Sequence, residues 1–100
     1  MTYFIKMENI TVVDTRPTTM MIKYHIVNSM PYRKFLAFSE DEYDISNQKI
    51  VFVCSRGHKS YRLAEIFSRK TGLTTYSLDG GLTKFRRFYS DFVLIGGKNR

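Results

Sequence analysis

Lys49-Ile50-Val51-Phe52-Val53-Cys54-Ser55-Arg56-Gly57-His58-Lys59-Ser60 is the stretch on which the reading of this chain turns. Its first half is a continuous apolar run, as expected of a central strand buried on both faces of a parallel sheet. Its second half is a polar loop with one glycine. Beyond the loop the period changes. Leu63, Ile66 and Phe67 fall at helical spacing, while Arg62, Glu65 and Arg69 take the other side. Glu65 and Arg69 stand four apart in the favourable order, and Gly72 is a natural stop. A central strand therefore feeds through a sharp turn, with Cys54 at its start, into a helix that runs to about Lys70.

Working outward, residues 10–14 form a short β-branched strand, and Pro17 suits a turn or the first position of a helix. Residues 18–24 are expected to be helical and residues 26–27 a brief strand. Pro31 breaks the chain before one or two helical turns over residues 32–38. Residues 39–44 are acidic and read as a surface loop, although Ser39 and Glu42 have capping-box spacing. Residues 74–78 form another strand, ended by Asp79-Gly80-Gly81. The last helix places Leu82, Phe85, Phe88, Tyr89 and Phe92 on one stripe. Residues 92–95 then pack back or extend, and residues 96–100 fray. Strands alternating with helices imply a single α/β domain over residues 1–100, with a mostly parallel sheet flanked by helices. Ligands of such sheets sit beyond the carboxyl ends of the strands, where Cys54 lies.

The composition agrees with one globular domain. In 100 residues, 43% are apolar and 15% aromatic, which is too many for a disordered chain. No run approaches the roughly 18 consecutive apolar residues of a membrane span. Residues 1–7 hold a lysine in a short apolar patch and no small-residue cleavage site, so the expected location is the cytoplasm, with no membrane partner. The net charge of +7 favours anionic partners. No nucleic-acid motif accompanies it, so a solvated basic surface is the plainer reading and no nucleic acid is expected.

The single cysteine excludes an internal disulfide and cannot by itself build a zinc site; two distant histidines add no metal site. Cys54 is then either a small buried hydrophobe or a reactive thiol. The loop Cys54-Ser55-Arg56-Gly57-His58-Lys59-Ser60 favours the second. Gly57 permits a sharp turn, and backbone N–H groups in such a turn converge on negative charge. Arg56 and Lys59 add positive charge, as would His58 when protonated, all of which favours the nucleophilic thiolate.

This arrangement resembles the rhodanese-like sulfurtransferase family over nearly the whole chain. Val12-Val13-Asp14-Thr15-Arg16 looks like the family's first strand with its Asp-x-Arg signature. His25-Ile26 resembles its early His-Ile pair, although Tyr24 replaces the usual glycine. Val51 to Ser60 looks like the active-site strand and loop, with Lys59 where many members have arginine. Leu78-Asp79-Gly80-Gly81 resembles the closing Gly-Gly segment, with Phe85 in place of a frequent tryptophan. The resemblance implies a small three-layer domain without metal or organic cofactor. It implies that Cys54 takes sulfane sulfur from a small anionic donor such as thiosulfate and passes it, as a persulfide, to a cyanide or thiol acceptor, a thioredoxin-like protein among them. Ser55, Arg56, Gly57, His58, Lys59 and Ser60 would form the active-site loop, with Arg56 binding the donor. Asp14 and Arg16 would support it: either Asp14 accepts hydrogen bonds near the loop and Arg16 pairs with an acidic residue, or Arg16 lines the mouth. His25 reads as structural.

Two other functions compete. A cysteine-dependent phosphatase or arsenate reductase uses a similar loop, but its spacing requires arginine at position 60, where this chain has Ser60. A non-catalytic or regulatory module would bind an acidic partner through the basic surface.

Overall fold

The computed structural model describes residues 10–37, 49–89, 91 and 93–95. The expected loop over residues 39–44, Phe38, Phe92 and the terminus beyond residue 95 lie outside them. Among the described residues ten elements follow one another: β1 (Ile10–Asp14), α1 (Thr18–Lys23), β2 (Tyr24–Ile26), β3 (Met30–Pro31), α2 (Tyr32–Ala37), β4 (Lys49–Val53), α3 (His58–Thr71), β5 (Thr75–Ser77), α4 (Gly81–Phe88) and β6 (Val93–Ile95).

The main sheet has the order β3-β1-β4-β5, and every pair in it is parallel. β4 runs at its centre, in register with β1 from Ile10↔Lys49 to Asp14↔Val53. Alternation along β4 sends side chains to both faces. Val51 and Val53 join Val12, Ile26, Leu78, Leu82 and Phe85 on one side. Ile50 and Phe52 join Val13, Phe35 and Ala64 on the other. Two cores around one sheet account for the unbroken apolar run, because each layer of β4 has its own partner. The Phe52 ring lies edge-on to those of Phe35, Tyr32 and Phe67, with centroids 5.9, 6.3 and 5.7 Å away.

The brief strand expected at residues 26–27 begins earlier, at Tyr24, and does not join the main sheet. It pairs antiparallel with β6, Tyr24↔Ile95 to Ile26↔Val93. The stretch expected either to pack back or to extend therefore extends. Pro31, read as a break, sits in a two-residue edge strand beside β1. An edge position tolerates proline because its missing N–H faces no neighbour.

Both helical stripes are narrower than their apolar residues suggest. In α3, Ser60 and Ala64 are buried, whereas Ile66 is exposed. In α4, Leu82 and Phe85 are buried and Tyr89 packs beside them, whereas Phe88 is 67% exposed. At 3.6 residues per turn, Phe88 lies about a quarter turn, and Ile66 more than a third of a turn, from the centre of its helix's buried stripe. The Glu65–Arg69 pair forms at 3.3 Å, and Gly72 closes α3 by donating its N–H to the Ser68 carbonyl.

Candidate active site around Cys54

Cys54 follows β4 directly and is buried, so the sheet delivers its sulfur to the carboxyl edge. The chain must then reverse into α3 within three residues. Gly57 makes the turn at φ 96° and caps the helix. The turn folds backbone amides back over the sulfur. Gly57 N–H donates to Sγ at 3.1 Å and Ser60 N–H at 3.2 Å. The Ser60 hydroxyl lies 3.3 Å from Sγ, and the Ser60 residue has no exposed surface. Burial pushes the Cys54 thiol up, but the Ser60 hydroxyl and the amides of Ser60, Gly57 and Arg56 together outweigh it and leave the thiol below its ordinary value.

A second glycine-rich turn braces the loop from behind. Leu82 N–H donates to the Cys54 carbonyl at 2.8 Å and Thr83 N–H to the Ser55 carbonyl at 2.9 Å. These are first-turn amides of α4 that have no partner within their own helix. So close an approach leaves no room for a side chain. A Cβ on Gly81, at φ 66°, would lie 2.5 Å from the Ser55 carbonyl oxygen and 2.6 Å from the amide nitrogens of Arg56 and Gly57. The sequence reads Gly81 as part of the turn that ends a strand and does not reveal this contact. Two successive glycines at the start of a helix are the signal of close backbone approach.

A cavity of about 340 Å³ opens onto the sulfur, lined by Cys54, Ser55, Arg56, His58 and Lys59 together with Arg16 and Pro17. The structure thus brings together all the cationic candidates read from the sequence, but they are held differently. Arg56 and His58 are exposed. Lys59 reaches across to β1, its Nζ donating to the Thr15 carbonyl at 3.3 Å. Arg16 is buried and paired. Its Nη2 donates to Asp14 Oδ2 at 2.8 Å and to the Tyr24 carbonyl at 2.7 Å, and its Nε donates to Asp14 Oδ1 at 3.0 Å. Its guanidinium also lies over the Tyr24 ring. Arg16 therefore both pairs with an acid and borders the mouth. Thr15 secures the same corner, its hydroxyl and its N–H both donating to the Val53 carbonyl. His25 bonds through Nδ1 to the Met21 carbonyl, away from the sulfur.

A parallel α/β sheet with a cysteine loop at its carboxyl edge, clasped between two helix starts, defines a class of small three-layer domains. Residues 4–88 match the family model of the rhodanese-like domain, and the chain belongs to that family. Solved structures agree on the fold. A rhodanese-related protein from Thermoplasma volcanium is 24% identical, with a TM-score of 0.66 over 86% of this chain and 83% of its own. An uncharacterized protein from Saccharomyces cerevisiae is 18% identical, with a TM-score of 0.68 over 86% of this chain and 82% of its own. A protein of unknown function from Rhodopseudomonas palustris, described as a possible tyrosine phosphatase, is 23% identical, with a TM-score of 0.60 over 80% of this chain and 67% of its own. No curated protein matches. Among the described residues, no helix is long and apolar enough to cross a membrane.

Proposed function

We propose that the domain is a sulfurtransferase that carries sulfane sulfur as a Cys54 persulfide. One observation carries the reading: the Cys54 sulfur accepts backbone N–H groups from Gly57 and Ser60 beside a cavity bordered by Arg56, His58 and Lys59. In the proposed reaction, the thiolate attacks the outer sulfur of a small anionic donor such as thiosulfate. The donor's S–S bond breaks, sulfite leaves with its electron pair, and Cys54 keeps the outer sulfur as a persulfide anion. The loop amides and Arg56 offset that negative charge. A thiol or cyanide acceptor then attacks the outer sulfur, and the Cys54 thiolate is the leaving group. The acceptor class includes a thioredoxin-like protein, and the setting proposed is cytoplasmic.

Two observations favour a second reading, a non-catalytic or regulatory rhodanese-like module that binds an acidic partner. Cys54 is only 5% exposed. Arg56, Lys59, Arg62, Lys84, Arg86 and Arg87 are all exposed cations. The phosphatase reading has less support, because buried Ser60 holds the sulfur where that chemistry requires arginine. Thiocyanate formation from thiosulfate and cyanide, measured on wild type and Cys54→Ser, separates the readings. Turnover that disappears in Cys54→Ser supports sulfur transfer. Absence of turnover, with salt-sensitive binding of an acidic protein that survives Cys54→Ser, supports the module.

A further inference from the structure

The sulfur has a hydroxyl neighbour that itself has a hydroxyl neighbour. Ser60 Oγ lies 3.3 Å from Cys54 Sγ and 2.8 Å from Ser77 Oγ. Its other contact is the Gly57 carbonyl oxygen at 3.4 Å. Ser77 ends β5 and is half-buried. It borders a second basin of about 860 Å³ behind the cysteine loop, shared with Arg56, Gly57, Tyr61 and Arg62. The outer two of these groups, Cys54 and Ser77, stand 23 positions apart in the sequence, and no motif links them.

The Gly57 carbonyl can only accept a hydrogen bond, whereas Ser77 can accept or donate. That difference matters when Cys54 loses its proton. With the thiol present, Sγ–H donates to Ser60 Oγ, and the Ser60 hydroxyl donates to Ser77 Oγ or to the Gly57 carbonyl. With the thiolate present, the Ser60 hydroxyl must turn to donate to Sγ, which leaves the Ser60 oxygen needing a donor. Ser77 can supply one by donating its own hydroxyl to Ser60 Oγ. The chain reverses direction, one proton leaves to solvent, and the heavy atoms stay in place. A hydroxyl that receives a hydrogen bond is also a stronger donor.

We propose that Ser77 is a positioning residue for Cys54, acting through Ser60 to hold the hydroxyl of Ser60 on the thiolate. This deepens the sulfur-transfer reading, which supplies the need for a thiolate, but it concerns only the proton on Cys54. The charged groups around the chain are Arg16 with Asp14, Arg56, His58 and Lys59 at the mouth, and Arg62, Glu65 and Asp79 at the basin. They are common to all the variants below, so differences between variants report on the hydroxyl.

The test is the pH profile of iodoacetamide alkylation of the single cysteine, with no sulfur donor present, in wild type, Ser77→Ala, Ser77→Thr and Ser77→Val. Thr and Val have the same shape and differ by the hydroxyl. The expected result is an upward midpoint shift in Ser77→Ala and Ser77→Val. Below the midpoint, alkylation then slows by roughly three- to tenfold, the equivalent of half to one pH unit. Ser77→Thr is expected to stay within about twofold of wild type at that pH. Midpoints that coincide in Thr, Val and wild type would overturn the proposal. So would a shift in Ser77→Ala that Ser77→Thr shares, because that would mark packing rather than the hydroxyl. Loss of thiosulfate turnover in wild type would leave these profiles unchanged, so the two readings fail separately.

Discussion

Cys54 sits where two opposing effects meet: burial resists its ionisation, and four hydrogen-bond donors promote it. The donors win, so the folded thiol titrates below the unfolded one. Between the two midpoints the unfolded chain holds the extra proton, and stability rises with pH. The gain is complete above the unfolded value and is lost as pH falls through the folded one. Thermal melts from neutral pH up through the ordinary cysteine range should therefore show wild type gaining on Cys54→Ala towards the alkaline end, and parallel curves would count against a native thiolate. The donors depend in turn on Gly81, since the loop backbone occupies the volume of its missing side chain. Gly81→Ala is expected to cost about 2–5 kcal/mol, from overpacking added to a left-handed backbone. A melting temperature within a degree or two of wild type would show that the loop yields. At this scale the sequence was informative about Cys54, Gly57 and the cations, because their chemistry is local. It was silent on Ser77, whose only significance comes from β5 lying beside α3.

The elements divide by how far their partners lie along the chain. β1, β4 and α3 could be read directly, since each carries its own periodicity and ends at a residue with a physical reason to stop it. β2 could not be placed, because three residues carry little pattern and its partner β6 is about 70 positions away in Tyr24↔Ile95. β3 was missed because Pro31 argues against a strand everywhere except at an edge. The helices were located correctly but their buried faces were drawn too wide, because apolar identity does not say which edge of a stripe reaches the sheet. That distinction can be measured on α4. Phe85→Ala empties the core shared with Leu78 and Leu82 and should cost about 3–5 kcal/mol. Phe88→Ala, three residues on and exposed, should stay within about 0.5 kcal/mol of wild type in urea unfolding. Equal losses would mean that α4 packs through a different face.

The molecule as a whole is a two-core sheet whose carboxyl edge holds one thiol among backbone amides and cationic side chains. Its net charge of +7 favours anionic partners, and exposed Arg56, His58 and Lys59 line the mouth at that edge. Both proposed readings, sulfur transfer and the docking of an acidic partner, would draw on that charge, so salt sensitivity alone does not distinguish them. What distinguishes them is whether Cys54 accepts a sulfur atom. The direct measurement is the intact mass of the protein after incubation with thiosulfate and removal of excess donor, followed by treatment with cyanide. Sulfur transfer through Cys54 predicts that wild type gains one sulfur atom and loses it to cyanide as thiocyanate, while Cys54→Ser gains none. A folded wild-type protein whose Cys54 still alkylates with iodoacetamide, yet whose mass is unchanged by thiosulfate, would contradict it.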